Sequence, residues 1–165
     1  MAVDKSVVGR PTGKSTVVVE RGPVAIFAQS VGEESTVYQR RDAARDAGFD
    51  DIPAPPTFTF SGAAHWGAFP DDQPADDPAK GGNPLMEIIG GLMAKGGMVL
   101  HGEQEFEYHR PIVVGDVLHR EGKVVDLYEK QSGERTMTFL VTEDEYRDGA
   151  GDLVLTSRMN LLHRS

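Results

Sequence analysis

Three stretches of the chain carry residue types that do chemistry. Gly9-Arg10-Pro11-Thr12-Gly13-Lys14-Ser15 has the glycines, the lysine and the hydroxyl of a phosphate-cradling loop. It is one residue short between its glycines, and Thr16-Val17-Val18-Val19 after it reads as strand where such a loop must open a helix. The segment is therefore read as a turn leading into a strand. The second stretch, His101, Glu103, Glu105, Glu107 and His109, places metal-ligating types on alternate positions of an extended chain. Neighbours on one side of a strand lie about 7 Å apart, close enough to share an ion, but the two histidines lie about 27 Å apart and cannot. The solvated face of a sheet explains the pattern more simply, and no metal is expected. The third is His65, Trp66 and Phe69, between a proline-rich turn and an acidic loop. Trp66, the only tryptophan, either lines a pocket or pins that loop to the body.

The elements that hold these residues follow from periodicity. Gly22-Pro23 precedes Val24, Phe27, Ala28 and Val31, which share a helix face, with proline suited to the first turn. A second short helix is expected from Gln39 to Ala47, stopped by Gly48. Ile52-Pro53-Ala54-Pro55-Pro56 cannot be helix interior, and Thr57-Phe58-Thr59-Phe60 alternates as a short strand would. Residues 70–82 are rich in Pro, Asp and Gly without an apolar period, and read as a surface loop.

Asn83-Pro84 then has the form of an N-cap followed by a first-turn proline. Leu85, Met86, Ile88, Ile89, Leu92 and Met93 follow, apolar around much of the helix, so the helix is expected to be largely buried. Gly90-Gly91 in its middle costs about 1 kcal/mol per glycine relative to alanine, which suggests close backbone packing on a sheet or a ligand. From Met98 the chain alternates strand after strand, with Met98, Leu100, Phe106 and Tyr108 on one side of the first. A second strand is expected over 112–128, with a bulge at Gly122, a third through Arg135, Met137, Phe139 and Val141, and a fourth through Leu153, Leu155, Met159 and Leu161. One buried helix and an antiparallel meander make an α+β hot-dog fold, a curved sheet wrapped around a long central helix, expected as a single domain over 1–165.

The 165 residues have 39% hydrophobic and 26% charged side chains, as in globular proteins rather than disordered ones. Seventeen Lys and Arg against 26 Asp and Glu leave a net charge of −9. That sign opposes nucleic-acid binding, which rests on phosphate neutralisation, and a polybasic membrane anchor. With no cysteine, disulfides, thiolate catalysis and Cys-ligated metal sites are excluded. Met1-Ala2-Val3-Asp4-Lys5 lacks the apolar run of a secretory signal, and no stretch approaches bilayer length, so a cytoplasmic location is expected.

The run Phe27-Ala28-Gln29-Ser30-Val31-Gly32-Glu33-Glu34-Ser35-Thr36-Val37-Tyr38, with Gly48-Phe49 after it, resembles the MaoC-like (R)-hydratase/dehydratase family, whose members act on 3-hydroxyacyl and 2-enoyl thioesters. Leu100-His101-Gly102-Glu103 through His109-Arg110-Pro111, followed by Val114-Gly115-Asp116, supports the match. The family motif reads Asp-x-Asn-Pro-aliphatic-His. Its carboxylate and imidazole act as the acid–base pair on a water or hydroxyl, and a backbone N–H stabilises the enolate-like oxygen. On this chain the resemblance puts Glu33 at the Asp position, Ser35-Thr36 at Asn-Pro and Tyr38 at the His position. A phenol with an ordinary pKa near ~10 is a poor base. Pro55-Pro56 stands where active members carry a small donor residue after a histidine.

The pattern is similar to the FAS1-like, MaoC N-terminal type, and to the motif-less subunit of mycobacterial-type (3R)-hydroxyacyl-carrier-protein dehydratases. The resemblance implies a subunit that shapes an acyl channel while a catalytic hot-dog partner supplies Asp and His. It also leaves open a self-sufficient homodimeric hydratase using Glu33 and Tyr38, or a displaced His65, and a non-enzymatic acyl-thioester binder. A hot-dog thioesterase would need Glu87, whose first-turn position is explained by the helix dipole. Acyl contacts are expected at Pro56, Thr57, Phe58, Trp66, Gly90 and Gly91, and no cofactor is expected. The ligand would be an acyl-CoA or acyl-carrier-protein thioester, and its anionic carrier would need a basic patch such as Arg40-Arg41 or Arg110.

Overall fold

The computed structural model describes residues 5–66, 69–94, 96–133 and 135–164; residues 1–4, which form most of the expected signal-free N-terminus, lie outside them. Five antiparallel strands form one sheet in the order β1-β3-β4-β5-β2. They are β1 (Pro11–Val18), β2 (Met98–Tyr108), β3 (Val117–Ser132), β4 (Arg135–Arg147) and β5 (Leu153–Arg164). The helices are α1 (Arg21–Ser30), α2 (Arg41–Asp46) and α3 (Pro84–Met93), with 3-10 turns between them. None is long and apolar enough to cross a membrane among the described residues.

The sheet buries one side against the helices. Leu118, Tyr146 and Leu155 of the sheet join Val24 of α1, Ala44 of α2, Ile52 and Phe58 in one cluster. Val124, Leu127 and Leu140 form a second cluster, packed by Leu85, Ile88 and Ile89 of α3. The opposite side carries a row of alternating charge. Lys123 pairs in register with Glu143, Glu143 with Arg158 and Arg158 with Glu105. Ion-pair distances along the row are 3.0, 2.7 and 3.9 Å.

Several expectations change. The strands after Met98 are not one meander: β2 pairs with β5 at the far edge instead of with β3, because the chain crosses the sheet between them, and β3 begins at Val117 rather than near 112. The helix at 84–93 is capped as expected, Asn83 Oδ1 accepting the Leu85 N–H at 2.9 Å, but it is ten residues long and buries one side only. Met86 and Met93 are 60% and 56% exposed, and a Cβ on Gly90 or Gly91 would meet nothing within 4 Å. The close packing inferred from those glycines is thus absent among the described residues. Thr57-Phe58-Thr59-Phe60 is not strand: Thr57 turns left-handed (φ 71°) and starts the 3-10 turn Phe58–Phe60, burying Phe58 edge-on to Phe27 at 5.8 Å. Alternation alone does not distinguish such a turn from a strand.

The pairing of β2 also differs. His101 pairs with Leu161 and Glu103 with Asn160, so Gly102 is an extra residue that exchanges the two sides of the strand. His101, Gln104, Phe106 and Tyr108 face the helices, while Met98, Leu100, Glu103, Glu105 and Glu107 face outward. The histidine–glutamate face read from the sequence is therefore split, and His101 stands edge-on to Phe60 at 5.2 Å. A Cβ at Gly102 would lie 3.0 Å from the Asn160 carbonyl oxygen. The expected bulge at Gly122 lies instead on its partner strand, between Pro11 and Gly13.

The acidic loop lies along the free edge of β1. Gln73 acts as a short surrogate strand: its Oε1 accepts the Thr16 N–H at 3.0 Å and its Nε2 donates to the Thr16 carbonyl at 3.1 Å. Asp77 accepts the Lys14 N–H at 2.8 Å, and Asp76 pairs with the Lys14 ammonium at 3.0 Å. Replacing Gln73→Ala is expected to lower the unfolding free energy by about 1–2 kcal/mol in urea titrations. Unchanged stability would show that water replaces the amide at no cost.

Candidate functional site

A cleft of about 420 Å³ opens where the proline run meets the end of β2. Its floor is built by backbone pairing. The Ala54 N–H donates to the Ile112 carbonyl at 2.8 Å and the Val114 N–H to the Ile52 carbonyl at 2.8 Å. Pro53, Ala54 and Pro56 form one wall, Tyr108, His109, Arg110, Pro111 and Ile112 the other, with Tyr38 and Phe49 at the mouth. No carboxylate stands on these walls among the described residues.

Tyr38 ends the short turn Thr36–Tyr38. Ser35 caps that turn, its Oγ accepting the Val37 N–H at 3.3 Å. Glu33 supports the same cap: its Oε1 accepts the Ser35 N–H at 2.9 Å. The two residues singled out for acid–base chemistry thus occupy one loop, but the Glu33 carboxylate holds backbone and only Tyr38 reaches the cleft wall. His65 is exposed on the turn Gly62–His65 and is not on the wall. Trp66, read as lining a pocket or pinning the loop, is 58% exposed and is not on this cleft wall, and the loop is held by Gln73, Asp76 and Asp77. Of the other expected acyl contacts, Pro56 lines the cleft and Phe58 is buried beneath it. Thr57 donates its N–H to Tyr108 Oη at 3.1 Å, whereas Gly90 and Gly91 lie on exposed α3.

Two cleft residues escaped the sequence reading. His109 was assigned to a sheet face; it stands past the end of β2, its Nε2 3.4 Å from Thr156 Oγ1. Tyr108 was counted as one apolar position among several, although it is the one member of that row with a hydroxyl. Burial pushes the Tyr108 phenol up from its ordinary value, and the Thr57 N–H offsets part of this. Tyr146, deeper in the core, is pushed up to about 12 by burial and by the nearby Asp144 charge. Both phenols are neutral at physiological pH.

The cations proposed to receive an anionic carrier are already paired. Arg40 is held by Asp42, and Arg41 by Asp51 at 3.1 Å. Arg110 is clamped by Asp116 at 2.8 Å and by Asp148 at 3.3 Å. Asp148 in turn accepts the N–H groups of Ala150 and Asp152, so this corner ties the cleft wall to the β4–β5 turn. Among the described residues no three His, Asp or Glu side chains converge on a metal-sized space. The cleft offers apolar surface, phenol hydroxyls and one imidazole.

Residues 6–157 match the family model of the FAS1-like dehydratase domain region. The chain belongs to this dehydratase family. A UPF0336 protein of Streptomyces coelicolor is 32% identical over 100% of this chain and 97% of its own length. A probable enoyl-CoA hydratase alpha subunit of Thermomonospora curvata is 31% identical over 82% of this chain and 42% of that protein. Among solved structures, the ChsH1-ChsH2 complex from Mycobacterium tuberculosis superposes with a TM-score of 0.73 at 22% identity, covering 93% of this chain and 83% of that one. The HadBC (3R-hydroxyacyl-ACP dehydratase) complex from the same organism gives 0.63 at 19%, covering 93% and 96%. These likenesses establish the hot-dog fold, and both solved neighbours are complexes.

Partial desolvation pushes the Asp148 carboxyl up, but the N–H groups of Asp152 and Ala150 and the Arg110 guanidinium outweigh it and hold it below its ordinary value. A lowered native pKa stabilises the fold above the unfolded value and loses that effect as pH falls through the native one. Asp148→Asn is therefore expected to melt at a lower temperature than wild type at pH 7. The gap should close as pH drops below about 4. A gap independent of pH would refute this assignment.

Proposed function

We propose that this chain is the acyl-binding, motif-less subunit of an (R)-specific 3-hydroxyacyl-thioester dehydratase or 2-enoyl-thioester hydratase, with a hot-dog partner supplying the catalytic Asp and His. The observation that carries this reading is the cleft wall itself: it presents Tyr38 where the family motif has an imidazole, and no carboxylate. Glu33, at the position of the family's Asp, is engaged with the Ser35 backbone. Dehydration needs a base for the proton beside the carbonyl and an acid for the departing hydroxyl. Phenol hydroxyls and an imidazole with no carboxylate on the wall do not supply that set.

Family membership supports the reaction class. The heteromeric nature of both solved neighbours, and the relative named as an alpha subunit, support a partner. So do the two sheet edges: β1 is covered by the 70–82 loop, while among the described residues β2 pairs only with β5. The acyl group comes as a coenzyme A or carrier-protein thioester, and the complex works in the cytoplasm.

The test is hydration of crotonyl-CoA by the purified chain, followed by loss of enoyl absorbance, with the molecular mass of the same sample measured. No turnover is expected from the chain alone, and turnover at enzymatic rates of about 1–10³ s⁻¹ once a partner with intact Asp and His is added. Turnover at such rates by a homodimer would overturn the proposal in favour of a self-sufficient lyase. Acyl-CoA binding without turnover alongside every candidate partner would identify a non-enzymatic binder instead.

A further inference from the structure

The cleft wall from Ile52 to Phe58 is poor in hydrogen-bond donors. Pro53, Pro55 and Pro56 have no N–H. The Ala54 N–H is taken by the Ile112 carbonyl at 2.8 Å and the Phe58 N–H by the Pro55 carbonyl at 3.1 Å. The Thr57 N–H remains. Thr57 holds a φ of 71°, the only positive φ outside glycine among the described residues. A β-branched residue there costs about 1–3 kcal/mol. That backbone geometry aims the N–H at the Tyr108 hydroxyl oxygen, 3.1 Å away.

Tyr108 is placed from the other side of the cleft. The Gly102 bulge sets its parity, and its ring stacks on Phe106 with centroids 6.2 Å apart. Because its oxygen accepts from Thr57, its own proton is left to donate, and among the described residues no group accepts it.

We infer that the Tyr108 hydroxyl is the carbonyl-binding donor of this cleft: it donates to the thioester carbonyl oxygen of a bound acyl or enoyl group, while the Thr57 N–H donates to the phenol oxygen from behind. This rests on the acyl-thioester reading above. Accepting the Thr57 N–H makes the phenol a stronger donor, as in any hydrogen-bonded chain. A phenol is protonated at neutral pH, and partial desolvation moves Tyr108 further that way. The proton stays on Tyr108 and no bond to it forms; the effect is polarisation of the carbonyl toward the enolate. A side-chain donor thus takes the place of the backbone donors that the prolines remove.

The experiment uses hexa-2,4-dienoyl-CoA, whose near-ultraviolet band moves to the red when its carbonyl accepts a strong hydrogen bond. The wild-type chain is expected to bind it with a red shift. Tyr108→Phe is expected to lose that shift while affinity falls by no more than about tenfold, the size of one neutral hydrogen bond. Circular dichroism checks that the variant folds. If it does not, fluorotyrosine at position 108 keeps the shape and strengthens the donor, and the shift should deepen. A shift retained in Tyr108→Phe, unchanged with fluorotyrosine, or absent from wild type that binds, overturns the role of Tyr108. Failure of wild type to bind overturns this role together with the acyl-thioester reading.

Discussion

The register of β4 between β3 and β5 is the constraint on which the other features depend. Both faces of this strand enforce it. Leu140 and Tyr146 are buried against the helices, while Glu143 sits between Lys123 and Arg158 on the opposite side. A slip of one residue would exchange the faces, putting Leu140 in water and the charged row against the core. Lys123, Arg158 and Glu105 of that row are solvated, but Glu143 between them is buried, so its ion pairs chiefly offset the cost of burying that carboxylate. Their weight lies in the alternative, since an unpaired charge in the core is costly. With β4 fixed, β5 is fixed, and through β5 the edge strand β2 that carries Tyr108 and His109 to the cleft.

The two sheet edges are treated differently. At β1 the side chains of Gln73, Asp76 and Asp77 take the backbone and ammonium groups that another strand would otherwise meet. At β2 eleven residues run with one side unpaired among the described residues. Open edges of that length invite association. The exposed methionines of α3 add apolar surface that no described residue covers.

The cleft is electrostatically quiet although the chain carries many charges. Arginines near it are neutralised by carboxylates at the corners, and partial desolvation pushes the Tyr108 phenol up. What it presents is oriented hydrogen bonding on apolar walls, with no carboxylate among the described lining residues. The strain stored at Thr57 belongs to the same arrangement, since a residue in that conformation persists only where its surroundings hold it.

Much of the architecture was legible in the residues. Alternation along 98–161 marked antiparallel strands, although only β3, β4 and β5 follow one another as a meander and β2 pairs across the sheet with β5; Pro23 and Pro84 marked helix starts, and the family resemblance put Glu33 and Tyr38 at the motif positions. These are local properties, written in spacing and side-chain type. The facing of β2 was not legible, because a single extra residue at Gly102 inverts a period-2 pattern and only pairing with β5 reveals it. Nor was the exposure of α3, since an apolar helix looks the same in sequence whether its own chain or a partner covers it. The loop over 70–82 was recognisable as a loop, but its use as an edge cover depends on Gln73 and Asp77 meeting backbone 57 and 63 residues away. The Tyr108–Thr57 contact spans 51 residues. Sequence determined most of the elements and which residue types stand at the motif positions; tertiary structure decided which side chains meet, because that depends on register and distance across the fold.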